Sequence, residues 1–174
     1  MDRGCPIPAA GLASERERAR AQHPSMNYRP ATLDDCVLLA QLNHQLLLDE
    51  GHRNRMSVPE LERRMRGWLA GEYRAVIYEQ DGAVVAYALF REEPELIYLR
   101  QLFVARDRRR QGIGRRALEL LRTQVWPKST RLTVDVLVTN QPALAFWRAV
   151  GYRDYSLTLE MRPESASSAS STPS

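Results

Sequence analysis

The stretch Ala83-Val84-Val85-Ala86-Tyr87-Ala88-Leu89-Phe90 carries no charged side chain and is apolar at both odd and even positions. Successive residues of a strand point to opposite faces of a sheet, so a strand with this pattern is covered on both faces and is central. Its neighbours suit that place. Tyr73 to Glu79 reads as a strand that enters through the Asp81-Gly82 turn, and Leu96 to Val104 as the strand that follows.

Helical periodicity surrounds these strands. Thr32-Leu33-Asp34-Asp35 reads as a capping box ahead of Val37, Ala40 and Leu47, which predicts a helix ending near Gly51. Ser57-Val58-Pro59-Glu60 repeats the device, with Leu61, Met65, Trp68 and Leu69 as the apolar stripe and Gly71 as the stop. Ile113, Ala117, Leu118, Leu120, Leu121 and Val125 mark a third helix, ended by Trp126-Pro127. Leu132 to Val138 is predicted as a strand, Asn140-Gln141-Pro142 opens a last helix running to Gly151, and Tyr155 to Met161 alternates as a final strand. With a first strand near Met26, the order is β-α-α-β-β-β-α-β-α-β, with no internal repeat.

At 174 residues and 44% hydrophobic content the chain suits one domain with a real core. That domain is expected over residues 26–162, after a flexible extension at 1–25 and before a Ser-, Ala- and Pro-rich disordered tail at 163–174. No apolar run approaches the roughly 20 residues of a membrane span, and Arg16, Arg18 and Arg20 stand where a secretory signal would be apolar. A cytoplasmic protein that does not engage membranes is expected. Cys5 and Cys36 provide neither a disulfide framework nor metal-ligand spacing, so no metal is expected.

The positive charge is local. Residues 106–116 hold six arginines and one aspartate, a net +5 on a chain of net +4. A focused patch on a near-neutral body suits a defined anionic ligand better than a nucleic-acid surface, for which interleaved aromatics would be expected. Within the patch lies Arg109-Arg110-Gln111-Gly112-Ile113-Gly114, after a strand ending at Val104 and opening a helix. The first N–H groups of a helix lack internal partners and carry the positive end of its dipole. Gly112 and Gly114 lack Cβ atoms, so a diphosphate can come close to the backbone, while Arg109, Arg110, Arg115 and Arg116 add charge. A glycine pair alone also closes ordinary turns. The third glycine of a dinucleotide fingerprint is missing, and no Gly-Lys-Ser/Thr completes a P-loop.

Leu102-Phe103-Val104, then R-x-x-G-x-G as Arg109 to Gly114, then Asn140, Ala143, Phe146-Trp147 and Gly151-Tyr152 together resemble the GNAT-family N-acetyltransferases over roughly Met26 to Arg162. The resemblance implies an α/β (α+β) fold: a mixed, mostly antiparallel central sheet splayed between strands four and five, with helices on both faces. It implies that acetyl-CoA lies along strand four at Leu102, Phe103 and Val104, with its pyrophosphate on the backbone from Gln111 through Gly112, Ile113 and Gly114 to Arg115. By the same resemblance Asn140 hydrogen-bonds the cosubstrate, and Phe146 and Trp147 pack near its thiol end. Asn140 is equally a helix N-cap.

The implied chemistry is direct transfer of an acetyl group to a primary amine. The neutral amine attacks the thioester carbonyl, a backbone N–H of strand four polarises its oxygen, and an acid protonates the departing thiolate. The sequence departs from the family where a tyrosine is common, because Trp147 stands there. Tyr98, Tyr152, Tyr155 or water would supply the proton instead. Strand four also lacks the carboxylate several relatives present, leaving Glu50 as a base acting through water. Arg100 cannot be a base and is read either as an ion-pair partner of Asp135 or as a substrate ligand.

Acceptor choice in the family lies with the first two helices and their connection, here His44, Asp49, Glu50, His52, Arg53, Asn54 and Arg55. Asp49 and Glu50 could hold a cationic amine or simply be solvated, and His44 could be an ordinary helix-face residue. The acceptor is a small molecule or a protein amine, and the pattern leaves a homodimer open. A weakly catalytic acyl-CoA-binding or sensing protein is the alternative.

Overall fold

The computed structural model describes residues 25–51, 56–128 and 130–161. The expected extension and tail, and His52, Arg53, Asn54 and Arg55 of the expected acceptor segment, lie outside these residues apart from Ser25 itself. Among the described residues five strands form one sheet in chain order: β1 (Asn27–Pro30), β2 (Tyr73–Gln80), β3 (Ala83–Glu92), β4 (Leu96–Val104) and β5 (Arg131–Val134). β3 is the middle strand and its residues from Val85 to Phe90 are all buried, as its two-sided apolar pattern requires. β1 to β4 pair antiparallel and β5 runs parallel to β4. Asp81 and Gly82 both adopt left-handed φ, +53° and +75°, the geometry that lets a two-residue turn follow the twist of β2 and β3.

Among the described residues four α-helices are formed: α1 (Cys36–Asp49), α2 (Val58–Ala70), α3 (Ile113–Leu120) and α4 (Gln141–Ala149). Both expected capping boxes are present. The Thr32 N–H donates to Asp35 Oδ2 at 2.8 Å, and the Ser57 N–H donates to Glu60 Oε2 at 2.7 Å.

The chain divides into two compact units, one up to Leu137 and one from Val138. In the first, alternate strand residues serve opposite faces of the sheet. Tyr73, Ala75 and Ile77 of β2, with Tyr87, Leu89 and Phe103, pack with Cys36 and Leu39 of α1 and Met65 of α2. On the other face the Tyr78 hydroxyl donates to the Ala117 carbonyl of α3 at 3.0 Å. α3 widens at its end into a π turn over Leu121–Val125, closed by the Trp126 N–H on the Leu121 carbonyl at 2.7 Å. Trp126 then meets Phe90 edge to face at 5.4 Å.

In the second unit Asn140 caps α4, its Oδ1 accepting from the Ala143 N–H at 3.2 Å. Phe146, Trp147 and Tyr152 form consecutive edge-on contacts, each at 5.0 Å. The expected sixth strand is not formed. Tyr155, Leu157, Leu159 and Met161 keep their alternation yet are 67–97% exposed, and the segment joins no sheet. Alternation specifies which face a strand buries, and a strand forms only where an edge takes up its backbone groups. The fifth strand likewise stops at Val134, short of the expected Val138.

The start of α1 is tied to β1 by charge. Both oxygens of Asp35 accept from the Arg29 guanidinium, at 2.8 and 2.9 Å, and this holds the Asp35 carboxyl down at about 2. A carboxylate with a depressed folded pKa contributes stability that is complete above its unfolded value near 4 and is lost as pH falls towards 2. The shift corresponds to about 2 kcal/mol, and solvent screening at the 43% exposed Arg29 side chain reduces it to roughly 1 kcal/mol. Asp35→Asn is therefore expected to lower the melting temperature by roughly 3 °C at pH 7 and by almost nothing near pH 2. Thermal melts across that range check it, and a deficit that persists unchanged in acid would contradict the assignment.

Candidate functional site

β4 changes character at its midpoint. Its register with β3 passes from Leu89↔Gln101 to Phe90↔Leu99, which makes Arg100 an extra, bulged residue. Its pairing with β5 runs from Leu96↔Arg131 to Leu99↔Val134 and ends there. From Arg100 to Val104, β4 thus has no partner in β5, and the two strands separate at the bulge. Leu102, Phe103 and Val104 occupy this stretch, with Phe103 buried and the other two half-buried.

The chain leaves β4 through a short 3-10 turn, Arg106–Arg108, and reaches α3 by a bend with left-handed residues at Arg110 (φ +64°) and Gly112 (φ +79°). The Gln111 Nε2 closes the bend on the Asp107 carbonyl at 3.0 Å. The first intrahelical bond is Arg116 N–H to the Gly112 carbonyl, so the N–H groups of Ile113 and Gly114 precede the helical ladder. Backbone donors at a helix N-terminus, alternating left-handed turns and flanking guanidinium groups make an anion-binding concavity.

Two of those guanidinium groups are already oriented. Asp49, near the end of α1, accepts from Arg106 at 2.5–2.8 Å and from Arg109, whose Nε also donates to the Val104 carbonyl at 3.0 Å. Burial pushes the Asp49 carboxyl up, and the hydrogen bonds from Arg106 and Arg109 more than reverse this, leaving it below the ordinary value. Asp49 thus ties α1 to the arginine-rich turn. Arg116 pairs with Glu119, and Arg110 is exposed.

Glu50 caps α1 beside Asp49, half-buried, and its carboxyl is raised by burial and by the neighbouring charge. His44 is half-buried on the same helix. The Tyr98 hydroxyl donates to Asp135 Oδ2 at 2.8 Å, and burial with that bond pushes the phenol up to about 12. Asp135 is therefore engaged by Tyr98, and Arg100 lies instead over the Trp68 ring at 4.6 Å. Tyr155 is 81% exposed in the second unit, where Asn140, Phe146 and Trp147 also stand.

The structure also assembles groups that the sequence reading had not singled out. Asn43, fully buried on α1, accepts from Gln101 Nε2 at 2.8 Å, and Gln101 Oε1 accepts from the Tyr87 hydroxyl at 3.0 Å. The Asn43 Nδ2 is buried with no hydrogen-bond partner. The available signal was weak: Asn43 is one of three amides in α1, with Gln41 and Gln45, and Gln101 is another in β4. Both amide oxygens of this network are satisfied, and one amide donor is left over.

The acetyltransferase (GNAT) family model matches residues 41–152. The chain belongs to the GNAT acetyltransferase family. That membership supports an acyltransferase. Several solved acetyltransferases share this fold. One is a predicted acetyltransferase from Clostridium acetobutylicum solved with acetyl-CoA, 22% identical with a TM-score of 0.62 over 79% of this chain and 96% of that one. An aminoglycoside N-acetyltransferase in complex with CoA is 14% identical, with a TM-score of 0.64 over 83% and 98%. A ribosomal-protein-alanine N-acetyltransferase from Brucella melitensis biovar Abortus 2308 is 15% identical, with a TM-score of 0.60 over 79% and 99%. No curated protein matches this GNAT chain. Among its described residues no helix is long and apolar enough to cross a membrane, and no group of three His, Cys, Asp or Glu side chains could hold a metal ion.

Proposed function

We propose that the chain is a cytoplasmic N-acetyltransferase, with a domain over residues 26–162, that moves the acetyl group of acetyl-CoA to a primary amine. The carrying observation is the turn with left-handed Arg110 and Gly112 that opens α3 directly after the separated half of β4. Gly112 has open space where a Cβ would stand, and the Ile113 and Gly114 N–H groups precede the helical ladder, which suits a diphosphate. Arg109, Arg110, Gln111 and Arg115 complete that reading. The edge of β4 along Leu102, Phe103 and Val104 suits the amide-bearing arm of the cosubstrate as an added strand. Asn140, Phe146 and Trp147 keep the cosubstrate roles that the family resemblance implies.

In the transfer, the amine nitrogen bonds to the carbonyl carbon, the carbon–sulfur bond breaks, and the thiolate leaves with a proton. Glu50 accepts the amine proton through water, and its raised carboxyl brings it nearer to neutral pH than an ordinary glutamate. Tyr98 and Tyr155 are the candidate proton donors. Tyr98 releases its proton less readily than an ordinary phenol, being held by Asp135.

Calorimetry with acetyl-CoA, followed by free-thiol release over a panel of amines, peptides and aminoglycosides, tests the proposal. Acceptor-dependent release with an acetylated product is expected. Tight binding without any such release would favour the sensing reading, and tight oligonucleotide binding at physiological salt without acetyl-CoA binding would end both. Glu50→Gln is expected to lower kcat/KM about 100-fold and to remove the acid limb of the pH profile. An unaltered limb would place the base elsewhere.

A further inference from the structure

On the α1/α2 side of the sheet two guanidinium groups share one indole. Arg64 of α2 and the bulged Arg100 of β4 each lie 4.6 Å from the Trp68 ring centroid, and Arg100 is also 5.9 Å from the Tyr73 ring. Like charges this close repel, and each requires an opposing charge or full solvation. Neither has a carboxylate partner among the described residues. Of the nearby acids, Asp135 is engaged by Tyr98, Glu62 by Arg66, Glu93 by Arg91, Glu60 at the cap of α2 and Asp49 by the arginine turn, while Glu50, whose charge acts on Tyr87 as that of Arg64 does, forms no ion pair with either arginine.

Arg100 is exposed to solvent, but full solvation is not available to Arg64. Its Nε is buried and makes no hydrogen bond. Burial, and then the charge of Arg100, depress its pKa, and the Tyr87 hydroxyl is close enough to act on it. Tyr87 belongs to the Gln101–Asn43 network, in which the fully buried Asn43 leaves its Nδ2 donor unused. Two cations without an ion-pair partner and two unused buried donors thus lie at the Arg100–Gln101 stretch of β4 and the helices packed on it. Aromatic rings hold both guanidinium planes in place.

We infer that Arg64 and Arg100 bind a carboxylate carried by the acceptor amine, so that the substrate is an amino acid or a similarly small amino-carboxylate. The inference rests on the N-acetyltransferase reading. A carboxylate accepts two parallel N–H bonds from one guanidinium and relieves the repulsion between the pair. A polycationic acceptor would meet two positive charges there instead. Trp68 keeps the two guanidinium groups at a fixed spacing and serves as a positioning residue.

The test compares amino acids with their carboxamides and with an aminoglycoside, as acceptors with acetyl-CoA. It also measures binding of N-acetylamino acids and their amides by calorimetry, which does not depend on turnover. The free carboxylates are expected to exceed the amides about tenfold or more in kcat/KM and in affinity. Arg100→Gln is expected to erase that preference, and Arg100→Lys to restore part of it. Circular dichroism confirms that both variants are folded. Equal handling of acids and amides, better use of the aminoglycoside, or an intact preference in Arg100→Gln overturns the inference. Acetylation without discrimination would leave the transferase reading standing, whereas failure to bind acetyl-CoA would remove both.

Discussion

Gly114→Glu is expected to weaken acetyl-CoA binding by more than about 100-fold while leaving the protein at least as stable as before. The two effects have separate origins. Gly114 is the second residue of α3, ahead of the Arg116–Gly112 bond that starts the helical ladder. A carboxylate there adds a negative charge and bulk where a diphosphate needs bare N–H groups, and the lost charge-assisted bonds and added repulsion amount to about 3 kcal/mol or more. For the helix the same charge is favourable, because it opposes the dipole by roughly 0.5 kcal/mol and replaces the least helical residue apart from proline. Calorimetry and thermal melts on one sample separate the two readouts. Unchanged affinity would remove the anion site from α3, and a folding defect would show that Gly114 is needed for structure.

Phe90→Ala should do the reverse. Phe90 is 1% exposed on the central strand and packs on the edge of Trp126, which the π turn after α3 delivers. Truncating a buried phenylalanine removes its transfer free energy and leaves a cavity, at a cost of about 3–5 kcal/mol. In a chain of this size that is a drop of roughly 10 °C or more in melting temperature. The lost contact lies at the far end of α3 from Gly114. Well below the new melting point, acetyl-CoA affinity is therefore expected to stay within about twofold. A stable variant would mean that Trp126 closes over the gap, and a large loss of affinity would mean that α3 shifts as a rigid rod.

What the residues made legible follows the range of the interactions involved. The caps at Thr32 and Ser57, the Asp81-Gly82 turn and the glycine-rich bend are settled within four or five residues, and the structure forms them where expected. The two-sided pattern of β3 fixed its central place for the same reason. Contacts between distant residues were opaque. Asp49 appeared free to meet a cationic amine, yet it pairs with Arg106 and Arg109, 57 and 60 residues away. Of the two readings open for Arg100, ion pair with Asp135 or substrate ligand, the first is excluded by the bulge at this residue and the Tyr98 hydroxyl. The Asn43–Gln101 bond spans 58 residues and has no periodic signature. Tyr155 to Met161 has the period of a strand, and period alone does not supply an edge.

The sheet is wound so that every antiparallel neighbour follows the last in sequence, and β4 to β5 is its one parallel step among the described residues. Parallel neighbours cannot be joined by a hairpin, so the chain must travel back across the sheet before β5 can be laid down, and α3 is that crossover. The arginine-rich bend is consequently part of the route itself, in contrast to binding loops appended to a finished scaffold. An insertion or deletion there would alter the closure of the crossover together with the ligand contacts. The last strand to join would then depend on the segment that recognises the cosubstrate, and assembly of the sheet edge and construction of the anion site would be a single event.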